Sequence, residues 1–284
     1  MVLTDPAVIK DIKRKFGFEF KKAYGQNFLT SEKVLSEICQ SAKGSYGIIE
    51  IGPGFGTLTD ALAKNFEKVV AIEIDKNLPE VLAYTLKEHS NVKIILGDCM
   101  KMDIRKLMEE EFGESSVSLA ANLPYYITTP IITMVLESRL PLENMVVMVQ
   151  KEVAERLCAS PGGKEYGAIS VLCSYFTEPE IVTKVPAGYF VPAPKVDSAV
   201  VLMKIRKNPP VELLDEKLFF KVVKAAFSQR RKTLLNCLSG GFGGDKAGIS
   251  KLLEEVGIDP KRRGETLSLD EFAGISNRFK EEGL

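Results

Sequence analysis

The sequence predicts an α/β fold: a mostly parallel seven-stranded sheet, followed by a small all-helical domain. Three observations predict it. From residue 47 onward β-branched apolar runs alternate with helical patterns, the first run passes straight into a glycine-rich turn, and paired prolines at 209 and 210 end the series. Runs at 47–51, 68–74, 92–97, 117–122 and 144–150 supply five strands, and stretches such as 57–65, 77–89 and 130–138 hold crossover helices between them. The last two runs, 180–185 and 199–205, lie close together without an obvious helix, so they should close the sheet as a hairpin-like pair. Consecutive prolines join neither a sheet nor a helix interior, which places the domain boundary after residue 207. Helical patterns at 216–237, 246–255 and 268–280, with a Gly-rich turn at 240–244, make residues 208–284 a helical domain against a sheet domain of residues 1–207.

Composition narrows the class. With 284 residues, 45% hydrophobic and 27% charged, the chain is neither collagen-like nor disordered, and it is long enough to bury a large core without staples. Five cysteines (39, 99, 158, 173 and 237) match neither zinc spacing nor a disulfide framework, so reduced thiols, no metal site and a cytoplasmic setting are expected. No apolar run approaches the roughly 18 to 20 residues that span a bilayer. Asp5 and Asp11 stand where an export signal needs an apolar core, so no membrane partner is expected. A single histidine, His89, leaves hydrolytic triads and His-rich metal centres hard to build, and its setting in Lys-Glu-His-Ser reads as a surface residue.

The formal net charge is zero, yet residues 1–25 carry +3 and residues 26–125 carry −5. Residues 217–232 hold six basic side chains and no acid, and Lys10, Lys13, Arg14, Lys15, Lys21 and Lys22 crowd the N-terminal arm. Concentrated patches on a neutral chain point to a phosphate-bearing macromolecule met by particular surfaces, or to a solvated helix face and a basic terminus.

The strand GIIEI runs into Gly52-Pro53-Gly54-Phe55-Gly56, where glycines let the backbone turn sharply and approach a ligand. By itself this GxGxG spacing leaves a dinucleotide and other nucleoside cofactors open. Glu73 closes the second strand, placed to accept both ribose hydroxyls, and Asp98 closes the third. Carboxylates without a helix-dipole phosphate cradle suit S-adenosylmethionine, which brings a sulfonium cation, an adenine and a ribose rather than phosphates.

The fourth strand ends in Asn122-Leu123-Pro124-Tyr125. Adenine N6 is a poor nucleophile because its lone pair is delocalised, and hydrogen-bond acceptors on its N–H bonds localise that pair. Asn122 offers a side-chain oxygen, Leu123 a main-chain oxygen, Pro124 a fixed φ and Tyr125 a ring on which a base stacks. This tetrapeptide resembles the motif of amino-methyltransferases, in the form seen in the small-subunit rRNA adenine N6-dimethyltransferases. The resemblance extends in order through Gln26-Asn27-Phe28-Leu29, EIGPGFGTLT at 50–59, GDCM at 97–100, VQKEVAER at 149–156 and FVPAPKVDSAVV at 190–201, to the tail at 227–232.

That resemblance implies a class I S-adenosylmethionine-dependent methyltransferase domain, Rossmann-like, with a helical rRNA-recognition domain behind it. It implies S-adenosylmethionine contacts from Gln26, Asn27, Leu29, Gly52, Gly54, Glu73, Asp98 and Asn122. Phe190 would close the far side of a flipped adenine, beside Asn122, Leu123, Pro124 and Tyr125. Lys195, Arg230, Arg231 and Lys232 would meet RNA. The implied partner is 16S rRNA in the 30S subunit or its precursor, dimethylated at two adjacent adenosines by a monomeric enzyme. Three alternatives stay open on sequence: the related 23S rRNA methyltransferases, an assembly factor that binds without turnover, and a nicotinamide-dependent oxidoreductase.

Overall fold

The computed structural model describes residues 1–18, 27–243 and 245–284. In chain order the elements are α1 (Pro6–Lys15), β1 (Phe28–Leu29), α2 (Glu32–Ser41), β2 (Gly47–Ile51), α3 (Thr57–Ala63), β3 (Lys68–Glu73), α4 (Pro79–Thr85), β4 (Val92–Leu96), α5 (Ile104–Phe112), β5 (Val117–Asn122) and α6 (Thr128–Glu137). There follow β6 (Leu142–Gln150), α7 (Lys151–Leu157), α8 (Ala168–Phe176), β7 (Thr177–Val185), β8 (Phe190–Val191), β9 (Ser198–Ile205), α9 (Glu216–Ala226), α10 (Leu234–Phe242), α11 (Lys246–Glu255) and α12 (Leu269–Glu281).

Two compact units result: Met1–Ala154 with Pro179–Ile205, and Glu155–Glu178 with Arg206–Leu284. The expected break after residue 207 thus falls after Ile205, and residues 155–178, expected in the sheet domain, belong to the helical unit. The reason is α8, whose Val171 and Tyr175 enter the core built by Phe219, Phe272 and Phe279. The Tyr175 hydroxyl donates to Glu216 Oε2 at 2.7 Å, and the Arg206 side chain donates to the carbonyls of Ser174 and Thr177. Proline and glycine punctuation carries no signal for such an excursion.

The first unit is the expected mostly parallel sheet, with strand order β4-β3-β2-β5-β6-β9-β7. β2 pairs in parallel with β3 on one side and β5 on the other, and β9 runs antiparallel to β6. The strand order therefore reverses at β2, the switch point outside which open α/β sheets bind ligands. Every residue of β2 is buried, as a sheet covered on both faces requires. A second, two-stranded sheet pairs Phe28 with Val191 and Leu29 with Phe190. Thr30 extends it by donating through both N–H and Oγ1 to the Tyr189 carbonyl. Two-residue strands have no periodicity, and neither was predicted.

Two further expectations need correction. The helix expected over 216–237 is two helices, because the chain turns at 227–233 and Thr233 caps α10 by accepting from the Asn236 N–H. Arg230, Arg231 and Lys232 consequently lie on that turn and not on a helix face. His89 is no loose surface residue: it is 15% exposed, with Nε2 2.7 Å from Asp60, whose other oxygen takes Lys64 at 2.6 Å. Among the described residues no helix is long and apolar enough to cross a membrane.

Candidate active site

The cavity at the carboxyl ends of β2, β3 and β5 is lined by Asn27, Leu29, Gly52, Gly54, Glu73, Asn122, Leu123, Pro124 and Tyr125, all expected there from sequence. The glycine loop is shaped by what stands next to it. Gly54 adopts φ +59°, and a Cβ at that position would lie 2.9 Å from Cε1 of Phe28. Phe28 in turn stacks on Phe55 of the same loop, ring centroids 4.2 Å apart.

Glu73 ties the loop to the next strand. Its Oε2 accepts from the Gly54 N–H at 3.2 Å and its Oε1 from the Asp75 N–H at 2.7 Å. Each oxygen keeps a further lone pair for a ligand hydroxyl. Burial raises its pKa above the ordinary carboxylate value, although these N–H donors oppose the shift.

Glu50 was missed. It lies within β2, is 1% exposed and lines the same cavity. Burial pushes its pKa up to about 8, reinforced by the charge of Glu73. Its Oε2 has no hydrogen-bond partner among the described residues. The signal was present, an acid inside the otherwise apolar strand GIIEI immediately before the glycine loop. A buried acid with one unpaired oxygen beside Glu73, with apolar walls from Leu58, Ile74 and Leu78, fits a ligand that brings positive charge, hydroxyls and a flat ring. S-Adenosylmethionine has that composition.

The tetrapeptide Asn122–Tyr125 is fixed at each residue. Asn122 Nδ2 donates to the Asn27 carbonyl at 3.0 Å, which leaves Oδ1 as the end of the amide with no hydrogen bond among the described residues. The Leu123 N–H donates to Met148 O at 3.1 Å, while its own carbonyl oxygen takes no hydrogen bond among the described residues. The Pro124 carbonyl accepts from the Ile127 N–H and from Thr128 Oγ1, turning the loop into α6. The Tyr125 hydroxyl lies 2.9 Å from Ser198 Oγ at the start of β9, which holds its ring at the cavity wall. Partial burial raises the phenol's pKa.

Other expected site residues lie elsewhere. Gln26, with Lys21 and Lys22, falls outside the described residues. Asp98 is not in the cavity lining. It follows β4 in a turn, accepting from the Met100 N–H at 3.0 Å with Lys101 at 3.5 Å, while the Gly97 N–H donates to Glu73 O. Phe190 is 3% exposed and packed in the core with Leu29, Val185 and Val200, because its pairing with Leu29 across the small sheet turns it inward. Lys195 is exposed in the first unit. In the second unit Arg230 is 3.5 Å from Glu265 and, with Arg156 and Lys232, lines a separate surface cavity; Arg231 is exposed outside it.

Residues 17–281 match the family model described as ribosomal RNA adenine dimethylase. The chain is 52% identical over 281 residues to the ribosomal RNA small subunit methyltransferase A of Bacillus mycoides (strain KBAB4), covering 97% of this chain and 96% of that protein. Among solved structures it is similar to a dimethyladenosine transferase from Plasmodium falciparum, with TM-score 0.74, 25% identity, and 90% and 98% of the two chains covered. The fold is also that of the 23S rRNA methyltransferase ErmE, with TM-score 0.68, 24% identity, and 89% and 100% covered.

Proposed function

The chain belongs to the ribosomal RNA adenine dimethylase family, and on that premise we propose that it dimethylates N6 of two adjacent adenosines in the 3′-terminal hairpin loop of 16S rRNA. Its substrate is the 30S subunit or its precursor, met by a monomer in the cytoplasm during small-subunit biogenesis. The observation that carries the reading is the Asn122–Asn27 hydrogen bond, since it commits the amide nitrogen and leaves the oxygen as acceptor. S-Adenosylmethionine, when bound, supplies an electrophilic methyl group on a sulfonium sulfur.

The protein's own residues do the rest. Asn122 Oδ1 and the open Leu123 carbonyl accept the two N–H bonds of an adenine amino group, which localises its lone pair. Tyr125 stacks the base, worth ~1–3 kcal/mol, and its bond to Ser198 keeps the ring from swinging away. Glu73 takes the ribose hydroxyls, Glu50 offers a carboxyl to a cationic ligand, and Asn27, Leu29, Gly52 and Gly54 form the walls around them. Phe190, buried beside Leu29, backs the base side; Gln26 joins the cofactor contacts, and Asp98, whose Oδ1 is held by the Met100 N–H, offers Oδ2 to the adenine amino group. Alignment of two reacting groups in a dry pocket supplies the acceleration, and the alkylated N6 gives its proton to water, so no general base is required. A base reaches such a pocket only out of its stack, which single-stranded loops make cheap. Lys195 in one unit and Arg230, Arg231 and Lys232 in the other supply phosphate contacts.

Unmodified 30S particles incubated with isotope-labelled S-adenosylmethionine and read by mass spectrometry test the proposal. Two neighbouring dimethyladenosines near the 3′ end are expected; label only in protein-free 23S rRNA would assign the chain to the large-subunit activity. No label in either, with binding retained, would leave an assembly factor.

A further inference from the structure

We propose that the outer face of α1, continued by the end of α4, is a contact surface for RNA backbone, fixed beside the cofactor loop; the proposal rests on the rRNA-methylating reading above. Sequence alone leaves the N-terminal arm either an RNA grip or a loose basic terminus. The structure separates these. Ile9 and Ile12, one turn apart, face inward and join Leu3 and Phe18 in a core with Phe28, Phe55 and Leu82. Phe55, fully buried between Gly54 and Gly56, meets the Phe18 ring edge-on at 5.0 Å. The helix is therefore seated on the loop that lines the cofactor cavity, and its charges are held in place rather than tethered loosely.

The opposite face is cationic. Lys10, Lys13 and Arg14 line a surface hollow with Gly17 and Phe18. At the end of the helix Phe16 packs 5.6 Å from the half-buried Tyr84 of α4. Lys15 Nζ stands 3.6 Å above the Tyr84 ring centre, with Lys87 Nζ at 5.9 Å. Among the described residues Lys10, Lys15 and Lys87 have no carboxylate within ion-pair distance, whereas Arg14 shares Asp11 at 3.0 Å in an exposed and hence weak pair. Basic residues in a last helical turn also favour the helix dipole. That accounts for Lys13 to Lys15 but not for Lys10, nor for Lys87 in the turn after α4. Cations flanking a half-buried ring match the way proteins hold single-stranded nucleic acid, phosphate on ammonium and base against aromatic. An acidic protein would use the charges and leave the aromatic unexplained.

The test is the full-length triple variant Lys10→Gln/Lys15→Gln/Lys87→Gln. Its binding to a protein-free transcript of the 3′-terminal rRNA hairpin is followed by fluorescence anisotropy across a salt series. Affinity should fall about tenfold at moderate salt and the log–log salt slope by about two, as loss of three contacts to single-stranded phosphates requires. S-Adenosylmethionine affinity and Tm should stay at wild-type values, and the matching triple Lys→Arg variant should recover RNA binding. Wild-type affinity and slope in the Gln variant would overturn the proposal. So would weakening seen only on whole subunits and not on protein-free RNA, which would assign the surface to a ribosomal protein. Should wild type outbind the variant on the hairpin while neither it nor 30S particles are ever methylated, the dimethylase reading fails and the surface stands.

Discussion

Asn122 donates through Nδ2 to the main-chain oxygen of Asn27 over 3.0 Å, although 95 positions separate them in sequence. The bond decides which end of the amide faces the cavity. Asn122→Ala removes the acceptor and should lower methyl transfer about 10²–10³-fold, the scale of one lost electrostatic contact to a reacting group. Asn122→Asp keeps two oxygens but cannot donate to Asn27, so it should lose about as much. Single-turnover transfer from labelled S-adenosylmethionine checks both, and an Ala variant within threefold of wild type would remove Asn122 from the chemistry.

Glu50 makes stability depend on pH. Its pKa in the folded protein is about 8 against an ordinary 4.5, so between those values the folded chain holds a proton that the unfolded chain releases. The folded state is favoured below about pH 4.5 and loses this advantage as pH rises through 8. Glu50→Gln removes the cost. Its Tm should equal wild type near pH 4.5 and exceed it by about 5 °C or more at pH 8. Scanning calorimetry across that window reads the difference, and a constant Tm gap at every pH would mean that Glu50 is not the titrating group.

Gly54 answers to a steric argument. Alanine there must accept φ +59° and a Cβ 2.9 Å from Phe28, so Phe28 must shift on Phe55 or the loop must leave the cavity wall. The left-handed conformation alone costs about 1–2 kcal/mol. Gly54→Ala should lower Tm by a few degrees and weaken S-adenosylmethionine at least tenfold by calorimetry. Unchanged affinity would show that the loop is not a cofactor wall.

The strands and the residues at the ends of β2, β3 and β5 were legible because most of these strands are short, largely apolar runs, and a glycine turn, Glu73 and Asn122 end three of them. What escaped depends on tertiary contact. The pairing of Phe28–Leu29 with Phe190–Val191 spans two residues and leaves no pattern. It also explains why Phe190, expected at the base pocket, is buried beside Leu29 in the core. Asp98 occupies the expected strand end yet turns to its own loop, since the Met100 N–H and Lys101 are closer partners. The departure of 155–178 into the helical unit follows from Val171 and Tyr175, whose apolar character predicts burial but not in which core.

Tyr125 combines two roles that substitution can separate. Its ring forms part of the cavity wall, and its hydroxyl, 2.9 Å from Ser198 Oγ, fixes where the ring stands. Tyr125→Phe keeps the stacking surface and loses one hydrogen bond, worth about 1 kcal/mol, so kcat should fall no more than about fivefold. Tyr125→Ala removes the platform itself, and a stack worth ~1–3 kcal/mol predicts a loss of about 5- to 150-fold in kcat/KM for RNA. Affinity for S-adenosylmethionine should change little in the Phe variant. Ser198→Ala should reproduce the Phe variant and add nothing when combined with it, because both delete the same bond. Steady-state methylation of 30S particles by these four variants and wild type checks this, and an additive double variant would show that Ser198 acts on the reaction by another route.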